Sequence, residues 1–182
     1  MGILKKGLVT AILLTAILCP VRSLYAGEGA QHFYYLGTET LSGPDGIAYS
    51  VFPILVEKVH NPVKSEIIER AIEIKPGGVT DYLVRLVVQG SEFTASNEQK
   101  TISGCGKLVG LPWQWTYLKA TFQSTTGHRI DDENFMSDPK VLVARKVVYD
   151  GRGKIVQYID VTVTAIEETL FRGLLQVILP TK

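Results

Sequence analysis

The chain has 182 residues and a formal net charge of +1, with 46% hydrophobic and 20% charged residues. That balance excludes a disordered chain and the strongly basic face of a nucleic-acid-binding domain. The chain has only two cysteines, which excludes a disulfide-stapled scaffold, so stability must come from an apolar core; the length is enough for one domain.

The first element in chain order is a targeting signal. Met1-Gly-Ile-Leu-Lys-Lys6 is a short basic region, Gly7 to Cys19 carries no charge, and a small residue, Ala26, follows Pro20-Val-Arg-Ser-Leu-Tyr25. This is the layout of a secretory signal peptide, predicted to occupy residues 1–26 and to leave residues 27–182 as a single exported, periplasmic domain. The apolar run is too short to span a bilayer, and no later stretch is long enough to be a transmembrane helix. Cys19 lacks the small preceding residue of a lipoprotein signal, having Leu18 there instead. Cleavage would remove Lys5, Lys6 and Arg22 but no acid, leaving a slightly acidic mature chain with no nucleic-acid partner implied.

Strand signals then follow one another. His32 to Leu41 is a strand, and Ser42-Gly-Pro-Asp-Gly46 is a turn by composition. Ile47 to Val59 is a second strand whose Pro53, lacking a donor, predicts an edge or a bulge. Isoleucine enrichment and the following Pro76-Gly-Gly78 make 65–75 a strand. Thr80 to Gln89 and Phe93 to Asn97 are strands, as is 101–111, where Gly104, Gly106 and Gly110 predict bends. Trp113 to Gln123 and Arg129 to Met136 come next.

The strongest hairpin signal in the chain is Val141–Tyr149, Asp150-Gly-Arg-Gly153, then Ile155–Ala165: two β-branched runs around a turn. The period then changes. Leu170, Phe171, Leu174, Leu175 and Ile178 recur at helical spacing, and Thr164 with Glu167 has the form of a capping box, which predicts an amphipathic helix over 167–178.

Nine or ten short strands and one closing helix predict an all-β fold, a meandering antiparallel β-barrel. The stretch Gly110-Leu-Pro-Trp-Gln-Trp115 and the Tyr149-Asp-Gly-Arg-Gly-Lys154 hairpin resemble the calycin group, the lipocalin-like barrels, and more loosely small secreted bacterial barrels. The resemblance implies a cavity for a small apolar or amphiphilic ligand. A membrane barrel is disfavoured because lysines and glutamates interrupt both faces of several strands.

Alternation along the strands sets Arg70 with Ile68 and Ile72, Arg85 with Leu83 and Val87, and Arg145 with Val143 and Val147. Arginines on apolar faces need anionic partners. They are therefore predicted to face the interior and to hold a ligand carboxylate through the guanidinium fork. Trp113, Trp115 and Tyr117 alternate on one face and are predicted to line the same pocket. Cys105, between two glycines, is expected to be a buried, inert thiol. His32, His60 and His128 are scattered, so neither a metal nor a cofactor is implied, and no nucleophile–base pair stands out. The sequence thus predicts a non-catalytic binder of a small hydrophobic or amphiphilic molecule. The alternatives are an envelope assembly protein with a filled barrel and, third, a hydrolytic enzyme.

Overall fold

The computed structural model describes residues 29–111, 114–138 and 140–179; the expected export signal and Trp113 lie outside the described residues. Ten strands follow in order: β1 (Gln31–Ser42), β2 (Ala48–Asn61), β3 (Glu66–Lys75), β4 (Gly78–Gln89), β5 (Glu92–Asn97), β6 (Ile102–Leu111), β7 (Gln114–Ser124), β8 (Arg129–Asp138), β9 (Val141–Tyr149) and β10 (Ile155–Ile166). The helix α1 (Glu168–Ile178) closes the chain. Every strand pairs antiparallel with its neighbours in sequence, and β1 pairs with β10 to close the barrel. The predicted meandering barrel with a C-terminal helix is the fold observed, and among the described residues closure leaves no exposed sheet edge.

The hairpin chemistry is as its residues demand. Asp150 accepts from the backbone N–H of Arg152 and of Lys154, both at 2.9 Å, and Gly153 turns the chain at φ 78°. Pro53 lies within a barrel wall, opposite Thr38 of β1. The ladder to β3 begins one residue later, at Ile54–Glu73, so Pro53 has no ladder partner on that side.

Two apolar clusters hold the fold. The larger fills the interior away from the β1–β2 turn, with Tyr35, Val56, Ile67, Leu108, Trp115, Leu142 and Val163 among its members. The smaller lies outside the wall, where α1 packs Phe171 and Leu174 onto Tyr34, Leu36, Leu55, Ile72 and Ile166. Arg172 clamps the helix down, donating to the Tyr34 hydroxyl and to Glu57 Oε1, each at 3.2 Å. The helix starts at Glu167, which makes no side-chain cap bond, and Thr164 stays within β10, so the expected capping box does not form.

This outer cluster inverts the sequence reading of β3. Ile72 is wholly buried but beneath the helix, so Ile68, Arg70 and Ile72 face outward, and Glu69, Ala71 and Glu73 face inward. The exposed remainder of the wall carries ion pairs such as Lys119–Glu133 at 2.7 Å. Exposed apolar side chains such as Val51, Val109 and Phe135 share that wall with the ion pairs. Among the described residues no helix is long and apolar enough to cross a membrane.

Candidate functional site

Part of the interior is not filled. Small residues take several inward positions: Ala71 opposes Tyr82, and Ala120 opposes Gly106 on one side and Asp132 on the other. A Cβ on Gly106 would come within 2.5 Å of Phe93 Cζ, and one on Gly104 within 2.7 Å of Phe122 Cδ1, so the two glycines let these rings lie against the backbone. The result is a cavity of about 280 Å³. Its lining residues Asn97, Ile102, Phe122, Ile130 and Ile159 are half-buried and lie near the turns that join β5 to β6, β7 to β8 and β9 to β10. That end is the mouth, and the packed cluster around Trp115 is the floor.

The cavity has an apolar side and a charged side. Val84, Leu86, Phe93, Leu118, Phe122 and Ile130 form the first. The second consists of Lys58, Glu69, Glu73, Tyr82, Asp132, Asn134 and Lys146. Charges inside a barrel are tolerable when they answer one another, and the ladders arrange this. Lys58 of β2 sits opposite Glu69 of β3, and Lys58 Nζ meets Glu69 Oε2 at 2.8 Å. The same ammonium lies 5.0 Å from the centroid of the Trp115 ring, a cation–π approach. Glu73 pairs with Lys75, and Asn134 Nδ2 donates to Asp132 Oδ1 at 2.8 Å.

Lys146 of β9 is directly opposite Asp132 of β8, yet among the described residues it closes no hydrogen bond or ion pair. Burial alone would lower its pKa, but Tyr82, Asp132, Glu69 and Glu39 around it raise the value above that of an ordinary lysine. It is a firm ammonium ion at the cavity wall. Burial pushes the Asp132 carboxyl up, with Glu69 adding to the effect and Lys146, Lys58 and Asn134 opposing it. Glu39 is raised by burial and then by Glu73. Glu69 goes the other way: burial would raise it, but Lys58 and Lys146 together hold it below the usual carboxylate range. Burial also pushes the Tyr82 hydroxyl well up, so it stays protonated and able to donate.

The three predicted arginines are elsewhere. Arg70 donates to both Asp81 oxygens, Nε to Oδ1 at 3.0 Å and Nη2 to Oδ2 at 2.7 Å. Arg85 pairs with Glu66, and Arg145 Nε donates to Asp160 Oδ1 at 2.8 Å. The side chains of Arg85 and Arg145 are 58% and 68% exposed, so all three ion pairs belong to the outer wall. The expectation that these arginines point into the interior is corrected. Each strand shows its other face to the cavity, which is a one-residue difference in parity.

The aromatic stripe is also broken. Gly110 pairs with Trp115 while Val109 pairs with Tyr117, so Thr116 is an extra residue that shifts the alternation. Trp115 points inward to the floor, and Tyr117 points outward against Phe135, with ring centroids 4.9 Å apart. Cys105 is exposed rather than buried, because Gly104 and Gly106 take the inward positions. The missed residues, Lys58, Glu69, Asp132 and Lys146, do carry a signal in the sequence. Each shares a strand face with apolar neighbours, as Lys58 does with Ile54 and Val56.

Among solved structures, the chain is similar to a protein of unknown function from the DUF3598 family of Nostoc punctiforme. The two are 9% identical, with a TM-score of 0.53 over 73% of this chain and 46% of that one. The chain thus spans less than half the length of the Nostoc protein. It is also similar to the S-type phycobiliprotein lyase of Guillardia theta, at 8% identity and a TM-score of 0.48 over 78% of this chain and 89% of that one. For bovine odorant binding protein the identity is 14% and the TM-score 0.36, over 80% and 83% of the two chains. No protein-family model and no curated protein matches the chain. At these identities the likeness is one of fold, and the fold of this chain is a closed ten-stranded antiparallel barrel.

Proposed function

We propose that the protein binds a small amphiphile inside the barrel, as a carrier or sensor rather than a catalyst. The observation that carries this reading is the two-sided cavity of about 280 Å³. Its volume falls just below the roughly 300–1,000 Å³ usual for small-molecule pockets. Val84, Leu86, Phe93, Leu118 and Phe122 would take the apolar part of the ligand, and Lys146, Asp132 and Tyr82 its polar end. The same reading has the protein exported through residues 1–26 and working in the periplasm, where a water-poor interior would shield an apolar compound.

The test is uptake of an environment-sensitive apolar fluorophore by the purified protein and by Val84→Trp, which places an indole in the cavity. Uptake by the unmodified protein and its loss in the variant, with the β-sheet circular dichroism unchanged, is the expected result. Equal uptake by both proteins would overturn the proposed site. Native mass spectrometry of protein purified from its own host would then identify a co-purifying molecule.

A further inference from the structure

The apolar side of the cavity runs inward from the mouth and then stops. Phe122 and Ile130 are half-buried near the turns, whereas Leu86, Phe93 and Leu118 are buried at the inner end. Beyond them the interior is filled by Leu108 and Trp115, both buried. Trp115 is held from its other side by the Lys58 ammonium, 5.0 Å from the ring centroid, and that ammonium is tied to Glu69.

Phe93 cannot retreat to lengthen this space. It lies opposite Gly106 across the β5–β6 ladder, and its ring already rests on the β6 backbone. A Cβ on Gly106 would come within 2.5 Å of Phe93 Cζ and 2.8 Å of Cε1, and closer still to the carbonyl oxygen of Lys119 on β7. The ring is therefore backed by main chain that is itself pressed against the next strand. A close-packed wall of this kind resists a push rather than absorbing it.

We propose that the cavity selects its ligand by length, taking an unbranched chain of up to about eight carbons with a single head atom, and that Phe93 sets the limit. This rests on the reading of the cavity as a ligand site. At roughly 30 Å³ per non-hydrogen atom, the share a water molecule takes in the liquid, about 280 Å³ holds about nine such atoms. A longer chain fills the same space and leaves its outer carbons among the turns, in water. Only the methylenes that leave water add to affinity.

The experiment is calorimetric titration of the purified protein with the uncharged n-alkanols from pentanol to undecanol. Affinity is expected to rise about fourfold with each methylene, the equivalent of about 0.8 kcal/mol for burying one. Within about one carbon of octanol the rise should break, to less than about twofold per methylene. A series that kept rising about fourfold to undecanol, or broke at hexanol or before, would overturn the length limit and leave the ligand site standing. If no alkanol bound, the limit and the proposed function would both fall. Phe93→Ala, with its β-sheet circular dichroism unchanged, is expected to move the break outward by at least about two carbons. Phe93→Leu, a smaller change that keeps an apolar floor, should move it by about one and decides the matter if the alanine variant does not fold. A break left in place in a folded variant would overturn the role of Phe93.

Discussion

Lys58 and Glu69 face each other across the β2–β3 ladder and meet at 2.8 Å inside the barrel, under the ring of Trp115. The Lys58 side chain is 3% exposed, so neither bulk water nor another residue of the wall can replace its partner cheaply. Removing one member of a buried pair costs about 3–5 kcal/mol, whereas replacing both with apolar groups costs far less. Lys58→Met is therefore expected to lose about 3 kcal/mol in urea unfolding, the low end because Glu69 borders the cavity. The double variant Lys58→Met, Glu69→Leu should recover most of that loss. A double variant as unstable as the single one would show that the pair contributes through packing alone.

Asp132 has the opposite relation to charge. Its folded pKa is raised above the unfolded value of about 3.9. The folded state then binds more protons than the unfolded one in the window above that value. Its contribution to stability is complete below the unfolded pKa and is lost as the pH rises through the folded value. Asp132→Asn should flatten this part of the profile, and at pH 7 it should be at least as stable as the parent. Glu69, held low, acts with the opposite sign, and its contribution fades as the pH falls through its folded value. Urea midpoints across pH 4 to 8 for both proteins would check the difference.

Helix docking depends on Phe171, which is wholly buried against Tyr34 with ring centroids 4.9 Å apart. Phe171→Ala should cost about 3–5 kcal/mol, as truncation of a buried aromatic side chain does. Arg172→Ala removes part-exposed polar contacts and should cost no more than about 1 kcal/mol. If the two variants were equally unstable, the helix would be held by the Arg172 network rather than by its apolar face.

Gly37 permits close packing where β1 closes onto β10. A Cβ there would lie 2.6 Å from Val163 Cα and closer still to the carbonyl oxygen of Thr162. Backbone cannot rotate aside as a side chain does, so Gly37→Ala should cost at least about 1–3 kcal/mol, the usual penalty for overpacking. Thermal unfolding would measure it, and a variant as stable as the parent would place the strain elsewhere.

The outer arginines give a negative control for the site. Alanine at Arg70, Arg85 and Arg145 together removes three wall ion pairs and nothing that lines the cavity. Uptake of the fluorescent probe should stay within about twofold of the parent; a tenfold loss, worth about 1.4 kcal/mol, would return these residues to the binding site.

Local chemistry alone determined much of this protein. The β-branched runs, the Asp150–Gly153 turn and the helical spacing from Leu170 to Ile178 marked out the strands, their order and the closing helix within a residue or two, because those signals act through neighbours along the chain. Which face of each strand turned inward could not be settled the same way. The apolar-face rule failed on β3 because α1 lies outside the barrel and buries Leu55 and Ile72 against the outer wall. It failed again on β7, where the bulge at Thr116 separates Trp115 from Tyr117. The charged side of the cavity was hidden for a related reason. Lys58 is tolerable inside only because Glu69 stands opposite, and Lys146 only because acids from β1, β3 and β8 surround it. Such pairings join residues distant in sequence, so they exist only once the ladder register has been set and the barrel has closed.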